Sequence, residues 1–333
     1  MAHKRHPGIV ESALDLIGDT PLLRLKRLTQ GLEGEVLIKL EHLNPSGSLK
    51  DRMTLRMVDE AESAGTIKPG ATTLIESSSG NTAQALAFVG ALKGYTVRLR
   101  LPETSAVPEK LKALERYGAE VEWMKAGEGD VEADRVAKEA GLHGATIEIP
   151  GRLACLQEER DNPDVHWVRQ FSNPANVAGQ EAIGREILEQ TDGKVDVFVA
   201  SVGTGGTFLG VSRVLRAALP HVRCVAIQPA GWVGTRDPLS PDAKYVPGIT
   251  GGILKEIRDS RIADEIRTLG NEEARAMAYR LSREEGLNCG ISTGANVHVA
   301  LEEAARPGMA GKSVVTVLVD SGFRYIHDER FIT

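Results

Sequence analysis

Cysteine is scarce in this chain. There are three in 333 residues, Cys155, Cys224 and Cys289, set far apart. That count and spacing exclude a disulfide framework and a CxxC metal site, and lead to the expectation of a cytoplasmic protein with reduced thiols. Aromatic residues make up only 4%, which argues against a nucleic-acid module built on base stacking. No basic run is present and the net charge is −6, so nothing electrostatic points to DNA or to a membrane surface. No apolar run approaches the roughly 20 residues that span a bilayer. The opening "MAHKRHPGIVESAL" has early basic residues but no apolar signal core. The eight histidines show no metal-ligand spacing.

What is present is an ordinary globular composition, 41% apolar and 26% charged, in a length that fits two domains or one large one. Short apolar runs alternate with helical patterns. "VLIKLE", "TTLIE", "TVRLRL", "VDVFVASV", "RCVAIQP" and "SVVTVLVDSG" read as strands. "SLKDRMTLRMVDEAESAG" sets Leu49, Met53, Met57 and Ala61 four apart, a helical stripe that stops at Gly65. "NTAQALAFVGALKG", "PEKLKALERYG", "GTFLGVSRVLRAAL" and "NEEARAMAYRLSREEG" are further helices. Unbroken apolar strands separated by helices predict an α/β fold with mostly parallel sheets covered on both faces. The passage "GRLACLQEERDNPDVHWVRQFSNPANVAGQ" breaks the rhythm and reads as an inter-domain segment, with a boundary near 150–175.

Three stretches carry chemistry. In "NPSGSLKDRM", Lys50 follows a Ser-Gly-Ser turn, with Ser48 as the expected N-cap and Asp51 completing a capping-box pattern. In a first helical turn the dipole disfavours the ammonium, and a lysine kept partly neutral is what Schiff-base chemistry needs. A solvated surface lysine that follows a cap would read the same way. In "ESSSGNTAQALA" a strand ends in small hydroxyl residues and a glycine before a helix, a setting for an anion such as a carboxylate, with hydroxyls from Ser78, Ser79 and Thr82. An ordinary serine-capped turn is the plainer reading. In "SVGTGGTFLG" the turn Gly203–Thr207 suits a phosphate monoester, with Thr204 and Thr207 as hydroxyl donors. It is not a Walker A loop, and the third glycine position of a dinucleotide fingerprint is Phe208. Taken together, a Schiff-base lysine, a carboxylate nest and a phosphate nest are the parts needed to hold pyridoxal phosphate and an α-amino acid.

On these stretches, with "IGDTPLLRL", "LPETSAVPEKLKALERYGAEV", "QFSNPAN", "EEGLNCGISTGA" and "VDSGFRY", the chain resembles the cysteine synthase and cystathionine β-synthase family of fold type II pyridoxal-phosphate enzymes over nearly its whole length. The resemblance implies two open, twisted, mostly parallel sheets, as in the tryptophan synthase β subunit. It implies a smaller mobile substrate-binding domain over 46–160 and a larger cofactor-binding domain over 1–45 plus 161–333. It makes Lys50 the lysine that forms the Schiff base and later removes the α-proton. Asn81 matches the residue that bonds the cofactor's ring hydroxyl, and Gly203, Thr204, Gly205, Gly206 and Thr207 match the phosphate loop. Ser292 faces the pyridine nitrogen, and Ser78, Ser79, Thr82 and Gln170 take the substrate carboxylate. A serine hydroxyl cannot keep that nitrogen protonated as a carboxylate would, which favours prompt loss of a β-substituent over transamination; Ser292 also reads as a helix cap.

The implied reaction is β-replacement on an activated serine, O-acetylserine or O-phosphoserine, through an α-aminoacrylate, with sulfide as nucleophile. Cystathionine synthesis, a specialised β-replacement with another nucleophile, serine or threonine dehydration, and a non-catalytic cofactor-binding homologue are the alternatives. A homodimer is expected, with no nucleic-acid, membrane or metal partner. Three departures bear on the substrate. Ala83 and Gln84 stand where the family has glycine and an aliphatic residue, "VPGITGGI" replaces a G-I-G stretch, and Arg236 stands in a loop expected to border the pocket. The early Cys-Pro feature of haem-containing relatives is absent, and no regulatory module is expected after the last strand.

Overall fold

The computed structural model describes residues 8–103, 108–125, 149–229, 257 and 260–326. Along the chain the elements run β1 (Leu22–Arg24), β2 (Glu35–Leu40), α1 (Lys50–Ser63), β3 (Thr73–Ser77), α2 (Asn81–Lys93), β4 (Thr96–Pro102), α3 (Pro108–Arg116), β5 (Glu120–Met124), α4 (Ile149–Asp161), β6 (Val165–Trp167), α5 (Pro174–Gln190), β7 (Val197–Ser201), α6 (Gly206–Ala218), β8 (Arg223–Pro229), β9 (Glu265–Leu269), α7 (Asn271–Arg280), α8 (Ile291–Ala304) and β10 (Ser313–Leu318). Lys50–Gly179 forms one compact unit, and the chain up to Leu49 and from Gln180 forms the other. Among the described residues no helix is long and apolar enough to cross a membrane.

The larger unit is built on a six-stranded sheet in the order β1-β2-β10-β7-β8-β9, parallel except for β1 against β2. Its strands read as unbroken apolar runs because both faces are covered. Val36, Ile38, Val197, Val199, Val225 and Ile227 share one core with Ala274 and Met277 of α7 and Ala295 and Val299 of α8. The alternate residue Phe198 turns the other way and stacks on Phe208 of α6, ring centroids 6.2 Å apart. Each such side chain, fully buried, contributes about 1.5–3 kcal/mol relative to exposure. Phe208, at the third fingerprint position, is therefore a core residue.

The smaller unit holds a four-stranded parallel sheet, β5-β4-β3-β6. The passage that shows no periodicity in the sequence is structured and belongs here. It forms α4, β6 and the start of α5, with Cys155 of α4 and Trp167 of β6 packed on Ile75 of β3. Its signal is weak because β6 is only three residues long. Helices α1 and α2 lie side by side. Near their C-terminal ends, Lys93 of α2 pairs with Asp59 and Glu62 of α1, at 2.7 Å each, and Tyr95 donates to Glu62 at 2.9 Å. The two helices therefore run in the same sense, and their first residues, Lys50 and Asn81, open at the same end of the unit. Helix α5 comes close to the first turn of α1. A Cβ at Gly179 would meet the Met53 Cα at 2.9 Å, so this position admits no side chain.

Candidate active site

The loop that delivers Lys50 is held by hydrogen bonds on both sides of its turn. Asn44 donates to the backbone and side chain of Glu41 at 2.7 and 2.8 Å and accepts from Gly18 N–H at 2.8 Å. Gly47 takes a φ of 88°, left-handed backbone that glycine adopts without a Cβ penalty. The strip after it pairs with "VDS": Leu49 N–H donates to Val319 at 3.0 Å, Ser321 N–H donates to Gly47 at 3.2 Å, and Ser48 bridges Asp320. The helix opens at Lys50. Ser48 also pairs with Asp320 through an isolated antiparallel bridge. Lys50 is the first residue of α1 and half-buried, with Nζ 3.7 Å from the Met53 sulfur. The expected stripe is present: Leu49, Met53 and Met57 are buried.

In the same unit, β3 ends at Ser77 and α2 begins at Asn81. Ser78 is buried, its N–H donating to Arg100 C=O at 3.2 Å, while Ser79 and Asn81 are half-buried. The Thr82 hydroxyl donates to the Gln170 side-chain oxygen at 2.6 Å. Ser78, Ser79, Thr82 and Gln170 thus come to one place, the carboxyl end of β3. Two further residues hold it. The Glu76 carboxylate accepts from Gln170 N–H at 2.9 Å, and Asn176 donates to the Gln170 carbonyl at 2.6 Å. Ala83 is buried in the core of α2, and Gln84 is half-buried.

In the larger unit, β7 runs out at Ser201 and Gly205 opens α6 with a φ of 91°. Thr204, Gly205 and Gly206 are buried, and Gly203 and Thr207 half-buried. Ser292 is buried in the first turn of α8, but Gly290 takes the cap position, so Ser292 is not the cap. One turn further on, Asn296 accepts from Ser201 N–H at 2.7 Å and donates to the Val317 carbonyl at 2.8 Å. Thr293 accepts from Val319 N–H at 3.0 Å. These bonds tie the α8 turn bearing Ser292 to the ends of β7 and β10, beside the glycine loop. Carboxyl ends of parallel strands are where ligands bind in open α/β sheets.

The donor set fits the expected pair of anions. α2 and α6 both start after glycines, Gly80 and Gly205, which bring no capping side chain of their own. Their positive ends are flanked by hydroxyls, those of Ser78, Ser79 and Thr82 on one helix and of Thr204 and Thr207 on the other. Carboxylate and phosphate are the anions that such nests take. Glu76, Trp167 and Asn296 escape a motif reading, because their roles are hydrogen bonds to distant segments, whereas Asn176 closes the quoted "QFSNPAN" and bonds back to Gln170. Arg236 and "VPGITGGI" lie outside the described residues.

Residues 13–320 match the family described as pyridoxal-phosphate dependent enzyme. Cysteine synthase 3 of Caenorhabditis elegans is 39% identical over 326 residues, 97% of this chain and 90% of that protein. A cysteine synthase of Staphylococcus aureus is 38% identical over 323 residues, 95% and 96% of the two chains. The crystal structure of a cysteine synthase from Entamoeba histolytica superposes with a TM-score of 0.85 at 29% identity, covering 99% of this chain and 93% of that one. The crystal structure of an O-ureido-L-serine synthase gives 0.80 at 33% identity, with 98% and 96% covered. On these matches the chain belongs to the cysteine synthase and cystathionine β-synthase family of pyridoxal-phosphate dependent enzymes.

Proposed function

We propose that the protein is a cysteine synthase, replacing the β-substituent of an activated serine, O-acetylserine or O-phosphoserine, with sulfide. The observation that carries this reading is the convergence of Ser78, Ser79, Thr82 and Gln170 at the carboxyl end of β3, in the unit that bears Lys50. In this reading the Lys50–Gly179 unit takes the substrate carboxylate and the other unit takes the cofactor phosphate. When bound, pyridoxal phosphate supplies the electron sink that makes the amino acid's α-proton acidic. Lys50 Nζ would hold the cofactor and serve as the base for that proton. Asn81 would bond the ring hydroxyl, and Gly203, Thr204, Gly205, Gly206 and Thr207 would hold the phosphate. Ser292 offers a neutral hydroxyl to the ring nitrogen, which keeps the sink moderate and favours elimination of the β-group. A homodimer in the cytoplasm belongs to the same reading, supported by the kinship with cysteine synthases and by three buried free thiols.

The test is product analysis with the cofactor-loaded protein. O-acetylserine, O-phosphoserine and serine are each offered with sulfide or with homocysteine. Cysteine from an activated serine and sulfide is the expected outcome. Cystathionine from serine and homocysteine, or a keto acid released with no nucleophile present, would replace this reading by synthesis of the thioether or by dehydration. Sedimentation at a mass twice that of the chain checks the dimer.

A further inference from the structure

Gln170 is held more tightly than a side chain exposed to ligand exchange requires. Glu76 is wholly buried at the end of β3. Its Oε1 accepts from Ser77 N–H at 2.8 Å and from the Trp167 indole N–H at 3.0 Å, and its Oε2 accepts from the backbone N–H of Gln170 at 2.9 Å. Asn176 holds the Gln170 carbonyl at 2.6 Å. Both backbone polar groups of Gln170 are therefore fixed.

The residue before it is strained. Arg169 has a φ of 58°, in the left-handed region that arginine seldom adopts. Its guanidinium is clamped on Glu159, with Nη1 donating to Oε1 at 2.7 Å and Nη2 donating to Oε2, and it lies 4.7 Å from the centre of the Trp167 ring. Glu159 also accepts from the Trp167 backbone N–H at 2.9 Å. The sequence of contacts Glu159–Arg169–Trp167–Glu76–Gln170 is closed and lies within one unit. A buried carboxylate and a left-handed non-glycine residue both cost stability, and they persist where the surroundings over-determine them. Here both act on the geometry of a single residue, Gln170.

We propose that Glu76 and Arg169 are positioning residues that set the orientation of Gln170, and through it of Thr82, for the carboxylate of the amino-acid substrate. The inference rests on the reading above that Gln170 binds that carboxylate. Glu76 acts through its Oε2, which fixes the height of the Gln170 backbone above the end of β3. Arg169 acts through its guanidinium, whose clamp on Glu159 and stack on Trp167 hold the left-handed turn that aims the Gln170 side chain at Thr82.

The cofactor-loaded protein and three variants, Gln170→Ala, Glu76→Gln and Arg169→Asn, separate the possibilities. Glu76→Gln keeps the volume but faces an amide NH2 toward one of the three donors. Arg169→Asn tolerates the left-handed turn while removing the clamp on Glu159 and the stack on Trp167. The measurements are calorimetric affinity for L-alanine, which has no β-leaving group, KM and kcat for the reactive donor, and retention of the cofactor. Gln170→Ala is expected to weaken alanine binding and raise KM about tenfold or more, the size of effect that follows loss of a buried polar partner. Glu76→Gln and Arg169→Asn are expected to follow in the same direction, with kcat much less affected and the cofactor retained. Normal alanine affinity in Gln170→Ala would overturn the carboxylate reading itself. Weak binding in Gln170→Ala with normal binding in the other two would overturn the positioning role alone. Joint loss of kcat and cofactor in the two would also overturn it, marking them as merely structural. If Glu76→Gln fails to fold, Arg169→Asn decides by the same criteria.

Discussion

Thr82 and Gln170 stand 88 residues apart in the chain and share a 2.6 Å hydrogen bond from hydroxyl to amide oxygen. The bond fixes which end of the amide does what. With the oxygen taken by Thr82, the Gln170 NH2 is the group turned to donate, and its contact with the Ser77 carbonyl is long, 3.4 Å. A donor so placed beside the start of α2 suits a carboxylate.

Thr82→Val tests that relationship. Valine keeps the shape and removes the donor, so Gln170 loses its orientation. KM for the amino-acid donor is expected to rise about tenfold with the fold intact, since an unpaired buried polar group costs about 1–3 kcal/mol. Steady-state kinetics beside a thermal melt measure both. Ser78→Ala, which removes a hydroxyl of the same nest, is expected to lower kcat/KM for the donor; unchanged turnover would remove Ser78 from the site.

Lys50→Ala is expected to lower turnover by at least about 10²–10⁴-fold, the range supplied by a positioned proton-transfer group. Borohydride reduction followed by peptide mapping should place the cofactor on Lys50 in the native protein and nowhere on the variant. Label on another lysine would contradict the role.

Gly179→Ala forces a methyl group to within 2.9 Å of the Met53 Cα and 3.0 Å of the Arg52 carbonyl oxygen. Both are backbone atoms, so α5 must move away from α1. A loss of about 1–3 kcal/mol in urea unfolding is expected, the range for overpacking.

Two carboxyl groups near Gln170 carry pH dependence of opposite sign. Burial pushes Glu76 above its ordinary value, against the pull of its bonds to Trp167, Gln170 and Ser77 and the Arg152 charge. Its contribution is therefore fully present below the ordinary carboxylate range and is lost as pH rises through the folded value. At Glu159, burial also pushes upward, but the Arg169 hydrogen bond, the Trp167 N–H and nearby charge outweigh it and the net shift is downward. That contribution is present above the ordinary range and is lost as pH falls through the folded value. In urea midpoints taken across acid to neutral pH, Glu76→Gln should gain on the native protein as pH rises, and Glu159→Gln should fall behind it. Parallel curves would count against both assignments.

The three thiols, Cys155, Cys224 and Cys289, are buried and unbridged. Burial raises all three, with Cys155 pushed up to about 12 and Cys289 further still. Thiolate is the reactive form, so the native protein should resist a thiol reagent at neutral pH and release its thiols only on unfolding in denaturant. Fast labelling of the folded protein would show that one of them is reached by solvent.

Much of the architecture is a local property of the sequence. Apolar runs such as "VFVAS" and "SVVTVL" must lie in strands covered on both faces, because alternate side chains point to opposite sides and both sides carry apolar residues. The stripe Leu49, Met53, Met57 defines the buried side of α1, and glycine-containing turns precede α2 and α6. Lys50, Ser78, Asn81 and Gly205 announce themselves because their chemistry depends on neighbours within a few residues. Tertiary structure decided the rest. Ser48 is bridged to Asp320, 272 positions away in the chain. The three residues of β6 are a strand only because β3 offers them an edge. Glu76 and Gln170 meet across 94 residues, and the burial that shifts the Glu76 proton does not exist until the smaller sheet has formed. A sequence pattern encodes which face of an element is apolar. Which two polar groups share a hydrogen bond depends on distances set by the packed sheet, and those arise only on folding.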